Sequence, residues 1–154
     1  MRSNIGDIVD AMLKPDMAWV GNACLSLYHQ ILESDFRPEC ILGIAYGGLV
    51  PAAMLSALLR KPLVVVRAQS YDGTKHQAEL IFDVGSYTFP KVPTLVVDDI
   101  ADSGKTLTFM QALFNSYDID VRYATLHRKA QSTVIPDWSA CLVDGWVKYP
   151  WEQN

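Results

Sequence analysis

No stretch of this chain comes near the roughly 18 consecutive apolar residues of a membrane-spanning helix, and Met1 to Asp7 carries no apolar core of the signal-peptide kind. Cysteine is scarce: Cys24, Cys40 and Cys141 are odd in number and widely spaced, with no C-x-x-C pair. That argues against a metal or redox motif and fits buried free thiols in a reducing compartment. Positive charge is also short. Against 17 Asp and Glu there are 13 Lys and Arg, a net charge of -4 with a pI near 5.2. No global basic field exists to hold nucleic acid or an anionic membrane, so any phosphorylated ligand must be gripped locally. Repeats, low-complexity tracts and linkers are absent too. What is present, 50% hydrophobic and 19% charged residues over 154 positions, is the balance of one globular domain spanning residues 1–154. The expectation is a cytoplasmic protein that binds neither nucleic acid nor membrane.

Helix-period and strand-like stretches alternate along the chain. Asp16 is positioned as an N-cap, and Val20, Ala23, Cys24, Leu27, Ile31 and Leu32 follow at amphipathic helical spacing. Cys40 to Ala45 is a short apolar run that ends in Tyr46-Gly47-Gly48, and Leu49 to Arg60 is helical. The β-branched segment Pro62 to Gln69 reads as a buried strand. Ser70 to Pro90 is a polar excursion compatible with a hairpin, of a length that is usually functional or disordered. Thr94 to Val97 is the next strand, Lys105 to Tyr117 the next helix and Val121 to Leu126 the strand after it. Strands alternating with helices predict a mainly parallel, helix-covered sheet, with ligands at the carboxyl ends of its strands.

The chemistry concentrates in Leu95-Val96-Val97-Asp98-Asp99-Ile100-Ala101-Asp102-Ser103-Gly104-Lys105-Thr106. A hydrophobic strand runs into two adjacent acids, a third acid and a small-residue turn that opens a helix. The turn can aim backbone N–H groups at a terminal phosphate, aided by the helix N-terminus and the hydroxyls of Ser103 and Thr106, while Gly104 permits close approach. Asp98 and Asp99 can accept hydrogen bonds from vicinal ribose hydroxyls or hold Mg²⁺ between those hydroxyls and a diphosphate. A phosphorylated sugar is the ligand this arrangement fits. Gly104-Lys105-Thr106 also echoes the end of a nucleotide-hydrolase phosphate loop, but the first glycine of that pattern would fall on Asp99, whose carboxylate would face the phosphates.

The same stretch resembles the signature of type I phosphoribosyltransferases: a hydrophobic strand, D-D or E-D, two small or apolar residues, then D-[ST]-G-x-T. Three further segments are similar to the six-oxopurine branch, above all the short bacterial xanthine-guanine enzymes. They are Gly47-Gly48-Leu49-Val50-Pro51 for the pyrophosphate loop, Ser70-Tyr71-Asp72 for the start of the mobile loop, and Trp146-Val147-Lys148-Tyr149-Pro150-Trp151-Glu152 for the base site. The resemblance implies an α/β fold with a mainly parallel central sheet flanked by helices, a mobile active-site loop and a small C-terminal base-binding hood. It implies a homo-oligomer, dimer or tetramer, in purine salvage.

By residue, the resemblance implies that 5-phosphoribosyl-1-pyrophosphate is bound by Tyr46, Gly47, Gly48, Asp98, Asp99, Ile100, Ala101, Asp102, Ser103, Gly104, Lys105 and Thr106. The loop is implied to grip pyrophosphate through backbone N–H groups, with a strained or cis Ala45–Tyr46 peptide. Asp99 would hold Mg²⁺, and Glu152 is the candidate for a second ion. Asp102 would accept a proton from purine N7 as the glycosidic bond forms. Trp146 would stack on the base, the Val147 backbone would read its edge, and the Lys129 ammonium would donate to the six-oxo group, selecting guanine, hypoxanthine or xanthine over adenine. Residues 70–85 would close over the site, with Lys75 and His76 on pyrophosphate. Without the resemblance, Gly47-Gly48 is a tight turn, Trp146 is core packing and Lys129 is a solvated lysine.

The chain departs from the pattern in its cations. The family places a basic residue before Gly-Gly, where this chain has Tyr46, and an arginine before Glu-Leu, where it has Ala78. Lys148 replaces an acid beside the base site. These departures keep a second function open, a regulator that binds the donor with little or no turnover. Against it stand the absent basic stripe and the absent DNA-binding domain.

Overall fold

The computed structural model describes residues 4–71, 77–81 and 91–152, the side chains of 68–71 and 77–81 excepted. Asp16 caps helix α2 (Met17–Glu33), its carboxylate accepting the Trp19 N–H at 2.7 Å. Val20, Ala23, Cys24, Leu27 and Ile31 turn inward as their spacing requires. Leu32 does not: it lies off that stripe and is exposed. A preceding helix, α1 (Ile5–Leu13), was not anticipated. It buries none of its residues, so the core imposed no stripe on it to read.

Strand β1 (Cys40–Ala45), helix α3 (Leu49–Leu59) and strand β2 (Leu63–Tyr71) follow, then β3 (Gln77–Ile81), β4 (Thr94–Ala101), α4 (Lys105–Phe114), β5 (Val121–Arg128) and β6 (Trp138–Leu142). The strands form one sheet in the order β3-β2-β1-β4-β5-β6. From β2 to β6 all neighbours are parallel, and β3 pairs antiparallel with β2, so the described parts of residues 70–90 include the return strand of a hairpin. Among the described residues no helix is long and apolar enough to cross a membrane.

The order explains where a ligand can sit. The chain leaves β1 toward β2 on one side and leaves β4 toward β5 on the other, although β1 and β4 are neighbours. Right-handed crossovers then put α3 and α4 on opposite faces. Two cores follow from this. Ala52 and Leu55 of α3 pack with α2 and with Ile41, Leu95, Val97, Ala124 and Leu126. Leu107, Met110 and Phe114 of α4 pack with Leu42, Ile44, Val66 and Val96. Adjacent residues of β1 and β4 therefore face different cores, which is why both strands read as unbroken apolar runs. Where the connections diverge, the carboxyl ends of β1 and β4 leave a crevice, the ligand position of open α/β sheets.

Candidate active site

Both walls of that crevice are glycine turns that open helices. On the β4 side the strand continues past Val97 through Asp98, Asp99, Ile100 and Ala101. The acids thus lie within its end, not in the turn beyond it. The Asp98 carboxylate accepts the Asp99 N–H at 2.9 Å and is 9% exposed. Burial, and next the charge of Asp99, hold the Asp98 carboxyl well above the usual carboxylate range. Burial also raises Asp99, against the lowering effect of hydrogen bonding from Asp98 and from the Ile100 N–H. Two carboxyls whose ionised forms are poorly solvated are hard oxygen donors that a divalent cation would relieve. Mg²⁺ fits them, provided that ligand and water complete its octahedron, since no third such side chain gathers among the described residues.

Asp102 to Thr106 follows. Gly104 has φ 85, and a Cβ there would stand 2.7 Å from the Thr133 nitrogen, so both conformation and space demand glycine. It is the N-cap of α4 and brings no side-chain acceptor, a helix start suited to an anion. Residues 98–107 line a cleft of about 220 Å³. A strap after β5 holds the turn in place. Lys129 N–H donates to the Ala101 carbonyl at 2.9 Å, and the Thr133 N–H and hydroxyl both reach the Ser103 carbonyl at 3.1 Å. From the same strap the Lys129 ammonium pairs with Asp102 at 3.2 Å, and Gln131 donates to the other Asp102 oxygen at 3.2 Å. Lys129 is not a solvated lysine: its side chain is 12% exposed.

On the β1 side, the Ala45–Tyr46 peptide is cis. Gly47 lies against the Asp99 carboxylate, where any Cβ would collide with it. Gly48 is enclosed by the Val97 and Ile44 carbonyls and the Asp98 backbone. The two walls are therefore in contact at Gly47 and Asp99. The Tyr46 side chain is exposed, and its hydroxyl accepts a 2.6 Å hydrogen bond from Arg67 Nη2 of β2.

The C-terminal segment meets the end of β4. Trp146 is 77% exposed, so it is not core packing, whereas the adjoining Val147 is buried. Beneath them lies an aromatic stack. Trp19 stacks on His127 with centroids 4.6 Å apart, and Tyr149 stacks on Trp151 at 4.8 Å. The Tyr149 hydroxyl, 2.7 Å from His127 Nδ1, donates to the Asp99 carbonyl at 3.1 Å. Burial lowers the His127 pKa to about 4, leaving the ring neutral at pH 7.

The structure thus brings Gly47, Asp98, Asp99, Asp102 and Lys129 together. Lys75 and His76 lie outside the described residues. Arg67, His127, Gln131 and Thr133 were not expected at the site, and nothing in their local sequence marks them. Tyr149 and Trp151 were within a quoted segment but had been given no role.

An open sheet with two glycine-capped helix starts and an acid pair at its switch point defines a doubly wound α/β protein with its crevice at that point. The chain belongs to the phosphoribosyl transferase domain family, whose profile matches residues 20–152. It is 30% identical over 118 residues to the xanthine-guanine phosphoribosyltransferase of Idiomarina loihiensis, covering 74% of this chain and 71% of that one. The enzyme of the same name from Chromohalobacter salexigens is 29% identical over 138 residues, 84% of this chain and 76% of that one. The purine phosphoribosyltransferase structure from Pyrococcus horikoshii matches with a TM-score of 0.79 and 27% identity, covering 92% of this chain and 93% of that one.

Proposed function

We propose that this protein transfers the 5-phosphoribosyl group from 5-phosphoribosyl-1-pyrophosphate to a six-oxopurine base, guanine, xanthine or hypoxanthine, releasing pyrophosphate. The observation that carries the reading is the contact of two strand-end turns across the switch point, Gly47 against Asp99, with the Asp102 to Thr106 turn opening α4 beside them. Such a crevice can hold a sugar between a diphosphate on one wall and a 5-phosphate on the other.

In this reading the 5-phosphate is bound by the backbone from Ala101 to Thr106 and by the Ser103 and Thr106 hydroxyls. Asp98 and Asp99 accept the ribose hydroxyls. Asp99, together with the substrate and water, would hold Mg²⁺, which when bound would supply charge neutralisation for the leaving pyrophosphate. Asp102 accepts the proton that leaves purine N7 as C1 of the ribose bonds to the base and pyrophosphate departs. Lys129 and Gln131 keep its carboxylate aimed. Because an ammonium has three donors, Lys129 can hold Asp102 and also donate to the six-oxo group, a contact that adenine, with an amino group there, cannot match. The exposed Trp146 face stacks on the base and the Val147 backbone reads its edge. The protein acts as a single domain in the cytoplasm. It assembles with copies of itself, which exposed Ile5, Ile8 and Val9 on α1 support.

The test is to combine the protein with Mg²⁺, the phosphoribosyl donor and each of guanine, xanthine, hypoxanthine and adenine, and to resolve nucleotides by chromatography. A six-oxopurine nucleotide is expected and adenosine monophosphate is not. Tight donor binding with no product from any base would overturn the enzyme reading in favour of a donor-binding regulator. Omitting Mg²⁺ should abolish turnover, and sedimentation should give a dimer or tetramer.

A further inference from the structure

We propose that Arg67, reaching across from β2, supplies the cation that the loop Tyr46 to Gly48 does not carry, and that it binds the diphosphate of the donor and the pyrophosphate released. The inference rests on the phosphoribosyltransferase reading and adds a binding residue to it.

The sheet register sets Arg67 directly opposite Ala45, the residue that precedes the loop. Its guanidinium is held there from two directions. Nη2 donates to the Tyr46 hydroxyl at 2.6 Å, and the guanidinium carbon stands 5.0 Å from the centroid of the Tyr46 ring. Tyr46, which seats the guanidinium, is 68% exposed, while the next residue, Gly47, meets Asp99. An arginine seated this way has already given up much of its rotamer freedom, and its charge persists at any physiological pH.

Charge argues in the same direction. The crevice gathers Asp98, Asp99 and Asp102, and the cation on its far wall, Lys129, is engaged with Asp102. A diphosphate entering beside those carboxylates needs positive charge on the loop side, where residues 45–48 are Ala, Tyr, Gly and Gly. Tyr46 takes a position that a loop cation would fill and uses it to seat one from the next strand.

The experiment is calorimetric titration with two ligands in the presence of Mg²⁺: inorganic pyrophosphate, and guanosine monophosphate, which has no diphosphate and should rest on the opposite wall. Arg67→Gln should weaken pyrophosphate by about 10- to 100-fold, the scale for removing a hydrogen bond to a charged group, and leave guanosine monophosphate within about twofold. Adding Tyr46→Arg to Arg67→Gln should recover most of the lost pyrophosphate affinity, because either position then delivers the charge to the same place. Should Arg67→Gln not fold, Arg67→Lys carries the test, with a several-fold loss for pyrophosphate alone. Unchanged pyrophosphate affinity, or equal losses for both ligands, would overturn the proposal. An unaltered protein that bound guanosine monophosphate but not pyrophosphate would also overturn it. If the unaltered protein bound neither ligand, the phosphoribosyltransferase reading itself would fall.

Discussion

The turn after β1 and the turn after β4 do the same structural job by opposite means. Each ends a parallel strand, and each begins a helix whose N-cap is a glycine without a side-chain acceptor. The end of β4 and the turn after it carry polar side chains of their own, Asp98 and Asp99 in the strand and Asp102, Ser103 and Thr106 beyond it. The β1 turn carries almost none. Its Gly47 and Gly48 are there because the neighbouring wall leaves no room for a Cβ, and the charge beside it comes from Arg67 on another strand. One turn is rich in acids and hydroxyls, the other in residues that permit close approach.

If the β1 turn is steric, the largest effect should be on folding. Gly48→Val would drive a branched side chain into the Val97 and Ile44 carbonyls, an overpacking of about 3 kcal/mol or more. The expected outcome is loss of the cooperative thermal transition followed by circular dichroism. A melting curve like that of the unaltered protein would remove the steric account.

A chemical β4 turn predicts the reverse behaviour. Asp102→Asn should retain the fold and the donor and slow nucleotide formation by ~10²-fold or more, the scale for losing a general base. Steady-state rates beside a thermal melt decide it, and undiminished turnover would take Asp102 out of the proton transfer. Trp146 sharpens the contrast, since it belongs to neither wall. Trp146→Ala should raise the base concentration needed for half-maximal rate by about tenfold, as stacking is worth roughly 1–3 kcal/mol, without altering donor affinity. A weakened donor would mean that the indole supports the crevice instead.

The smallest expected effect concerns stability. The Asp98 carboxyl is raised in the folded state, chiefly by burial, so folding favours its protonated form. The stability that this confers is present below the usual carboxylate pKa and is lost as pH rises through the raised value. Above it, the ligand-free protein carries a buried charge. Asp98→Asn should therefore raise the melting temperature at pH 7.5 by a few degrees, as about 1 kcal/mol would in a chain of this size, while weakening Mg²⁺-dependent donor binding. The gain should shrink as pH falls. A lower melting temperature at pH 7.5 would mean that the Asp98 charge is already compensated.

Much of this was legible before the structure. The β1, β2, β4 and β5 runs, the α2 stripe and the segment Asp98 to Thr106 announce themselves because each depends on neighbours within a turn or a strand. The strand β6 was missed because its residues Trp138 to Leu142 are only half-buried at an edge and alternate weakly. The strap from Lys129 to Thr133 was missed apart from its lysine, since Gln131 and Thr133 acquire meaning only by lying over a turn roughly 30 positions earlier.

By itself the sequence determined the local chemistry: which segments are apolar enough to be strands, and where acids, hydroxyls and glycine are gathered at the end of one of them. Tertiary structure alone decided which distant groups complete them. Tyr149 reaches Asp99 across 50 positions, and Arg67 reaches Tyr46 across 21. The reason is physical. Periodicity and turn chemistry act over a few residues, whereas the partner of a strand-end side chain is set by sheet order and register, and here the neighbour of β1 is β4.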